Sequence, residues 1–201
     1  MSINITDFYS NENVSDCPNK TYPEYAFIGR SNVGKSSLIN AVLNQKIART
    51  SSKPGKTQLI NHIIINNNWA LVDLPGYGYA KLSKRMRGEI LERTRQYFTQ
   101  RGPQLSGTFM LIDIRINPQK IDLEWMEWLV KNNIYFIRVF TKCDGINKNK
   151  TQEQVLNYNK AMKDANWAKI PETIITSSAK KIGNNEILVK VLELNKSFQN
   201  I

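Results

Sequence analysis

The sequence predicts an α/β fold, a mostly parallel sheet with helices on both faces. Apolar runs of strand length alternate with helical patterns from Tyr22 onward. Several of those runs are nearly continuous Ile, Val, Leu and Phe, the composition of strands buried on both faces. The stretch HIIINNNW, from His62 to Trp69, reads as a hairpin turn, so one edge pair is expected to be antiparallel. With 201 residues, 41% of them hydrophobic, the chain is long enough for one sizeable core.

Taken in order, residues 1–20 are polar, show neither a helical nor a strand period, and are expected to form a mobile extension ahead of a domain at 21–201. Six strands are then expected: Tyr25–Ile28, Leu59–Ile65, Trp69–Val72, Thr108–Asp113, Tyr135–Phe140 and Thr173–Thr176. Helical patterns fall between most of them, at Lys35–Leu43, Lys84–Arg101, Leu123–Lys131 and Thr151–Ala165, with a last one at Asn184–Lys196. There is no internal repeat and no low-complexity segment.

Composition excludes several classes. No apolar stretch approaches the roughly 20 residues of a membrane span. The start, MSINITDFYSNENVSD, lacks Lys and Arg and resembles neither a secretory signal nor a transit peptide. Cys17 and Cys143 form neither a metal-ligand spacing nor a disulfide framework, which fits a reducing cytoplasm. The net charge of +11 suggests a polyanionic partner, with a solubilising surface as the plain alternative.

Between the first expected strand and the first expected helix lies GRSNVGKS: Gly29, Arg30, Ser31, Asn32, Val33, Gly34, Lys35, Ser36. It fits G-x-x-x-x-G-K-[ST], the phosphate-binding loop. The two glycines allow backbone angles and close approach that a Cβ would block. The loop can then turn its amides inward around phosphate oxygens, and the following helix adds its positive end. Lys35 supplies a point charge to the β- and γ-phosphates, and Ser36 offers a hydroxyl to Mg²⁺.

Three further motifs follow in chain order. Ser51–Gln58, a polar loop broken by Pro54 and Gly55, suits an order–disorder switch, with Thr57 as the candidate second Mg²⁺ hydroxyl or else a plain strand starter. Asp73-Leu74-Pro75-Gly76 ends a strand; Asp73 can hold Mg²⁺ through water, and the Gly76 amide can sense a γ-phosphate. Thr141-Lys142-Cys143-Asp144 also ends a strand. Its carboxylate can accept from guanine N1–H and N2–H together, a pair that adenine does not offer, while the Lys142 stem covers the base. Thr176-Ser177-Ser178 could present amides to guanine O6, or could simply cap a helix. Shared order in one chain points to a guanine-nucleotide switch.

These stretches, GRSNVGKSSLINA, SSKPGKTQLIN, LVDLPGYGYAKLSK, LIDIRINPQKIDLEWMEWL, FTKCDGINK and TSSAKK, span about residues 22–183. The chain resembles the translation-factor-related small GTPases, and more closely the EngB (YsxC/YihA-type) ribosome-assembly GTPases among the TrmE-Era-EngA-EngB-Septin-like P-loop GTPases. That resemblance implies a Ras-like six-stranded sheet, Mg²⁺-dependent binding of GTP and GDP with slow hydrolysis, and a role in large ribosomal subunit assembly needed for normal cell division and septation. It would place nucleotide contacts on Gly29–Ser36, on Gly55, Lys56, Thr57, Gln58 and Leu59, on Asp73–Gly76, on Thr141–Asp144 and on Thr176, Ser177 and Ser178, with Mg²⁺ on Ser36 and Thr57. The Lys56 of PGKTQ, where many members carry arginine, is a mild departure.

Ras-like enzymes orient the attacking water with a Gln just after DxxG. Here Tyr77 takes that place, so Lys35, Thr57 and Gly76 would have to act with another group. Asn32 is the candidate, its side-chain oxygen holding K⁺ near the phosphates; the alternative is that Asn32 only tolerates an unusual backbone angle. A basic block, Lys81, Lys84, Arg85, Arg87, Arg93, Arg95 and Arg101, follows the second switch, and Arg49, Lys53 and Lys56 could join it as a surface for ribosomal RNA on the precursor of the large subunit. His62 is expected to be structural, and Trp125 and Trp128 to be core or docking residues. The expected protein is a monomer. The rival readings are a P-loop NTPase or kinase acting on a small substrate, and a nucleotide-gated RNA-binding module.

Overall fold

A computed structural model of the chain describes residues 3–19, 21–48, 58–78 and 82–198. The six-stranded sheet expected from sequence is present as β2 (Glu24–Gly29), β3 (Ile60–Ile65), β4 (Trp69–Asp73), β5 (Leu105–Asp113), β6 (Phe136–Thr141) and β7 (Thr173–Ile175). It is extended by one strand, β1 (Ile5–Asn11), giving the order β1-β3-β4-β2-β5-β6-β7. The β3–β4 hairpin is antiparallel as expected, and β1 adds a second antiparallel pairing outside it, with a bulge between Ile5 and Asp7. Local pattern hid this strand. ITDFYSN alternates poorly, and its partner β3 lies far along the chain, so the pairing is tertiary.

Among the described residues five α-helices cover the sheet: α1 (Lys35–Leu43), α2 (Lys84–Gln100), α3 (Lys120–Lys131), α4 (Lys148–Asp164) and α5 (Asn184–Phe198). Two apolar layers sit on opposite faces of the sheet. Ala26, Ile28, Val72, Met110 and Ile112 point into one, and Tyr25, Phe27, Leu71, Phe109 and Leu111 into the other. This is the strand alternation expressed as two cores. Side-chain caps place two helix starts. Ser83 accepts from the Met86 amide at 3.2 Å, and Asn147 accepts from the Lys150 amide at 2.8 Å, opening α4 three residues before the expected Thr151. Among the described residues, no helix is long and apolar enough to cross a membrane.

The topology decides where a ligand can sit. From β2 the chain builds the sheet first toward β4 and then, through β5, toward β6 and β7. The connections leave β2 and β5 in opposite directions and open a crevice beyond their carboxyl ends. The Gly29–Ser36 segment leaves β2 at that crevice.

Candidate nucleotide-binding site

Gly29 is the last residue of β2, in register with Leu111 of β5. A Cβ there would lie 2.7 Å from the Leu111 carbonyl oxygen and 3.0 Å from Val33 Cγ1, so only glycine lets the loop begin this close to β5. Gly34 has φ +101° and opens α1 from the left-handed region. Asn32, also left-handed at φ 63°, is exposed. Val33 is buried, and its carbonyl accepts from the Thr141 hydroxyl at 2.7 Å. That bond fastens the loop to the end of β6.

Lys35 and Ser36 form the first turn of α1. Lys35 is buried and its ammonium is ion-paired with the buried carboxylate of Asp73 at the end of β4. Burial pushes the ammonium down to about 7, and the carboxylate beside it works the other way. The Ser36 hydroxyl lies 3.5 Å from the second Asp73 oxygen. A hydroxyl and a carboxylate this close are the hard oxygen donors that fit Mg²⁺, which holds several waters and phosphate oxygens besides. Leu74 is buried, its amide bonded to the Phe27 carbonyl, which carries the Asp73–Gly76 loop alongside the phosphate loop.

At the other end of the crevice Thr141 closes β6, and Lys142 follows in the left-handed region at φ 62°. Its ammonium donates to the Asn32 carbonyl at 2.6 Å and to Asp113 Oδ2 at 2.8 Å. Burial would raise the Asp113 carboxyl, but the Arg115 guanidinium and Lys142 hold it below the usual carboxylate range. Asp144 is exposed, and a hydrogen bond from Ser177 Oγ, at 2.5 Å, lowers its carboxyl. Ser177 Oγ in turn accepts from the Lys180 amide at 3.0 Å. The Cys143 amide bonds the Thr176 carbonyl, and Thr176 is tied to Phe140 of β6, so the two strand-end loops are stitched together. A cleft of about 820 Å³ lies between them and α1, lined by Gly34, Lys142, Asp144, Ser178 and Lys181 among others.

The structure thus brings Gly29–Ser36, Asp73–Gly76, Thr141–Asp144 and Thr176–Ser178 to one end of the sheet. Gln58 and Leu59 stand just before β3. Gly55, Lys56 and Thr57 lie outside the described residues, as do Arg49, Lys53 and Lys81 of the basic set. The rest of that set divides. Lys84, Arg85 and Arg87 are exposed; Arg93 pairs with Glu12 at 2.6 Å; Arg95 lies over the Trp125 and Trp128 rings. Arg101 is buried in an ion pair with Glu24 and belongs to the core rather than to the charged surface. Sequence reasoning missed the supporting residues. Asp113, braced by Arg115, holds Lys142, and Tyr77 is drawn inward to Asp122, away from the water-orienting place that its sequence position suggests. The DIR and DLEW stretches that carry Asp113, Arg115 and Asp122 were visible as part of the resemblance, but nothing in them announced a partner.

A family model described as a 50S ribosome-binding GTPase matches residues 24–142. A probable GTP-binding protein EngB of Flavobacterium johnsoniae is 51% identical over 203 residues, 100% of this chain and 96% of that one. Its counterpart in Christiangramia forsetii is 49% identical over 200 residues, covering 98% and 100% of the two chains. Among solved structures, a probable GTP-binding protein engB superposes with a TM-score of 0.72 at 22% identity, over 87% of this chain and 99% of that one. Era, in complex with MgGDPNP and nucleotides 1506–1542 of 16S ribosomal RNA, gives 0.67 at 22% identity, over 88% and 57%. These structural likenesses establish a Ras-like GTPase fold. Identity of about half along the full length establishes more: the chain is a GTP-binding GTPase and belongs to the EngB family.

Proposed function

We propose that this GTPase is a Mg²⁺-dependent switch acting in the cytoplasm, as a monomer, on the precursor of the large ribosomal subunit, and that normal cell division and septation require it. The observation that carries the reading is the position of the exposed cations. Lys84, Arg85 and Arg87 are exposed at the start of α2, which begins eight residues after Gly76. A loop that responds to the γ-phosphate would therefore move a phosphate-binding surface with it. The family model's description as a 50S ribosome-binding GTPase, and the RNA bound to Era, support the same partner class.

Within the site, Gly29, Arg30, Ser31, Asn32, Val33 and Gly34 wrap the phosphates, and Lys35 exchanges its partner Asp73 for phosphate oxygens. Ser36 and Thr57 hold Mg²⁺, with Asp73 behind a water. Gly76 meets the γ-phosphate. Lys142 and Asp144 take the guanine base, and Thr176–Ser178 close over it. Tyr77 is occupied elsewhere, so hydrolysis depends on other groups. We assign Asn32 to a K⁺ site beside the phosphates, since its side chain is exposed at the mouth of the loop. Turnover should be faster in K⁺ than in Na⁺, and Asn32→Ala should remove the difference; equal rates in both salts for the wild type would dispose of this assignment.

Sedimentation with large-subunit precursors tests the main reading. Binding should be stronger with a non-hydrolysable GTP analogue than with GDP, should weaken steeply with salt, and should fall on charge reversal at Arg85 and Arg87. Binding that ignores both nucleotide and salt would contradict it.

A further inference from the structure

Asp122, in the first turn of α3, is fully buried and accepts three hydrogen bonds. Arg30 Nε donates to Oδ1 at 3.1 Å, the Tyr77 hydroxyl to the same oxygen at 2.7 Å, and the Tyr158 hydroxyl to Oδ2 at 3.2 Å. Burial pushes this carboxyl up, and the three donors work against that. Arg30 belongs to the phosphate loop, and Tyr77 follows the DxxG glycine. Their backbones are joined as well. Arg30 and Tyr77 form a parallel bridge, in which the Tyr77 amide donates to the Gly29 carbonyl at 3.2 Å and the Ser31 amide donates to the Tyr77 carbonyl at 2.9 Å. The Tyr77 ring is stacked on Trp125 of α3, with centroids 5.3 Å apart and planes 27° apart.

We propose that Asp122 is a positioning residue that latches the segment after Gly76 onto the phosphate loop through Arg30 and Tyr77, and so sets how strongly the protein prefers GTP to GDP. The inference rests on the nucleotide reading of the phosphate loop and of Gly76. One carboxylate holds both a residue of the phosphate loop and the residue after Gly76, and Gly76 is one peptide bond from the latched residue. Where the chain is fixed beforehand, contact with a γ-phosphate costs little further ordering. GDP has no γ-phosphate and gains nothing from the latch. The phenol that stands at the water-orienting position of Ras-like enzymes therefore acts through the backbone it anchors. It is not a catalytic residue.

The test compares the affinities of GDP and of a β,γ-imido GTP analogue in the full chain with Mg²⁺. Tyr77→Phe keeps the ring and its stacking on Trp125, so it reads the latch without emptying the core; Arg30→Ala and Asp122→Asn remove the other side and the centre. Each should lower the GTP-analogue-to-GDP affinity ratio by about tenfold, within the usual range of coupling between sites, while GDP affinity in Tyr77→Phe changes less than about twofold. Equal weakening of both nucleotides would mark Asp122 as a purely structural carboxylate and overturn the inference, as would an unchanged ratio in Tyr77→Phe. In both cases a wild type that binds guanine nucleotides keeps the site reading intact. A wild type that binds neither would overturn that reading and this inference together.

Discussion

Lys142 and Asn32 are 110 positions apart in sequence, and the ammonium of one donates to the carbonyl of the other at 2.6 Å. The bond joins the Thr141–Asp144 loop to the phosphate loop, and Asp113, braced by Arg115, holds the same ammonium from the far side. Lys142→Met keeps an apolar stem over the base and deletes only the charge. It should weaken GDP binding by roughly ten- to a hundredfold, the scale of one or two charge-assisted hydrogen bonds. Titration with a fluorescent GDP checks this, and an unchanged affinity would show that the two loops hold each other without the ammonium.

Asp144 is exposed at the mouth of the cleft, with Ser177 already on one of its oxygens. The proposed role as guanine acceptor predicts a change of base. Asp144→Asn should lose at least about a hundredfold in GTP affinity, since one acceptor becomes a donor facing a donor. The same carboxamide can donate to the O2 of xanthine, so xanthosine triphosphate should gain. Competition among GTP, XTP and ATP reads both effects, and equal loss of all three would argue that Asp144 serves only the loop.

Gly29→Ala would put a methyl group 2.7 Å from the Leu111 carbonyl oxygen, which is fixed in the β2–β5 ladder and cannot turn aside. The cost should be about 1–3 kcal/mol, as for other overpacked sites, seen as a drop of several degrees in the melting midpoint. Nucleotide binding should fall further than stability does, because the displaced backbone is the start of the phosphate loop. Gly88, on the surface of α2 with nothing within 4 Å of a Cβ, supplies the control: Gly88→Ala should be neutral or stabilising.

Glu24 is buried among Arg101, Tyr97 and His62, and the His62 imidazole 3.3 Å away together with the Arg101 guanidinium overcomes burial to hold its carboxyl at about 2, against an ordinary 4.5. A depressed carboxyl contributes stability that is complete above its ordinary value and is lost as the pH falls from about 4.5 toward about 2. The shift corresponds to roughly 3 kcal/mol. Urea unfolding at pH 5 and pH 3 should show about half of that loss in the wild type, the rest falling below pH 3, and a shallower one in Glu24→Gln. Arg101→Ala strands the carboxylate and should cost about 3–5 kcal/mol at neutral pH, while charge reversal at the exposed Arg85 leaves the melting midpoint nearly unchanged. The two arginines thus separate the core cation from the surface cations that the sequence placed in one basic block.

Much of this protein is legible in its sequence. The helix Lys35–Leu43 lies at its expected bounds, and the hairpin at Asn66–Asn68 turns where three asparagines say it should, two of them at positive φ. Both are local matters of short-range sterics and hydrogen bonding. The first strand was not legible, because an edge strand with weak alternation is specified by the partner that accepts it. Nor was the division of the arginines. A cationic side chain looks the same in sequence whether it faces water or, like Arg101, a buried carboxylate 77 positions away.

The sequence by itself determined the alternating elements, the glycine-bounded loop and the order of the nucleotide motifs, since each is written in residues a few positions apart and obeys local geometry. Only the tertiary structure decided that Tyr77 turns inward to Asp122, that Lys142 reaches Asn32, and that Ile5–Asn11 joins the sheet. Those pairings depend on which distant groups the packed sheet brings within about 3 Å, the reach of a hydrogen bond, and no short stretch of sequence encodes that distance.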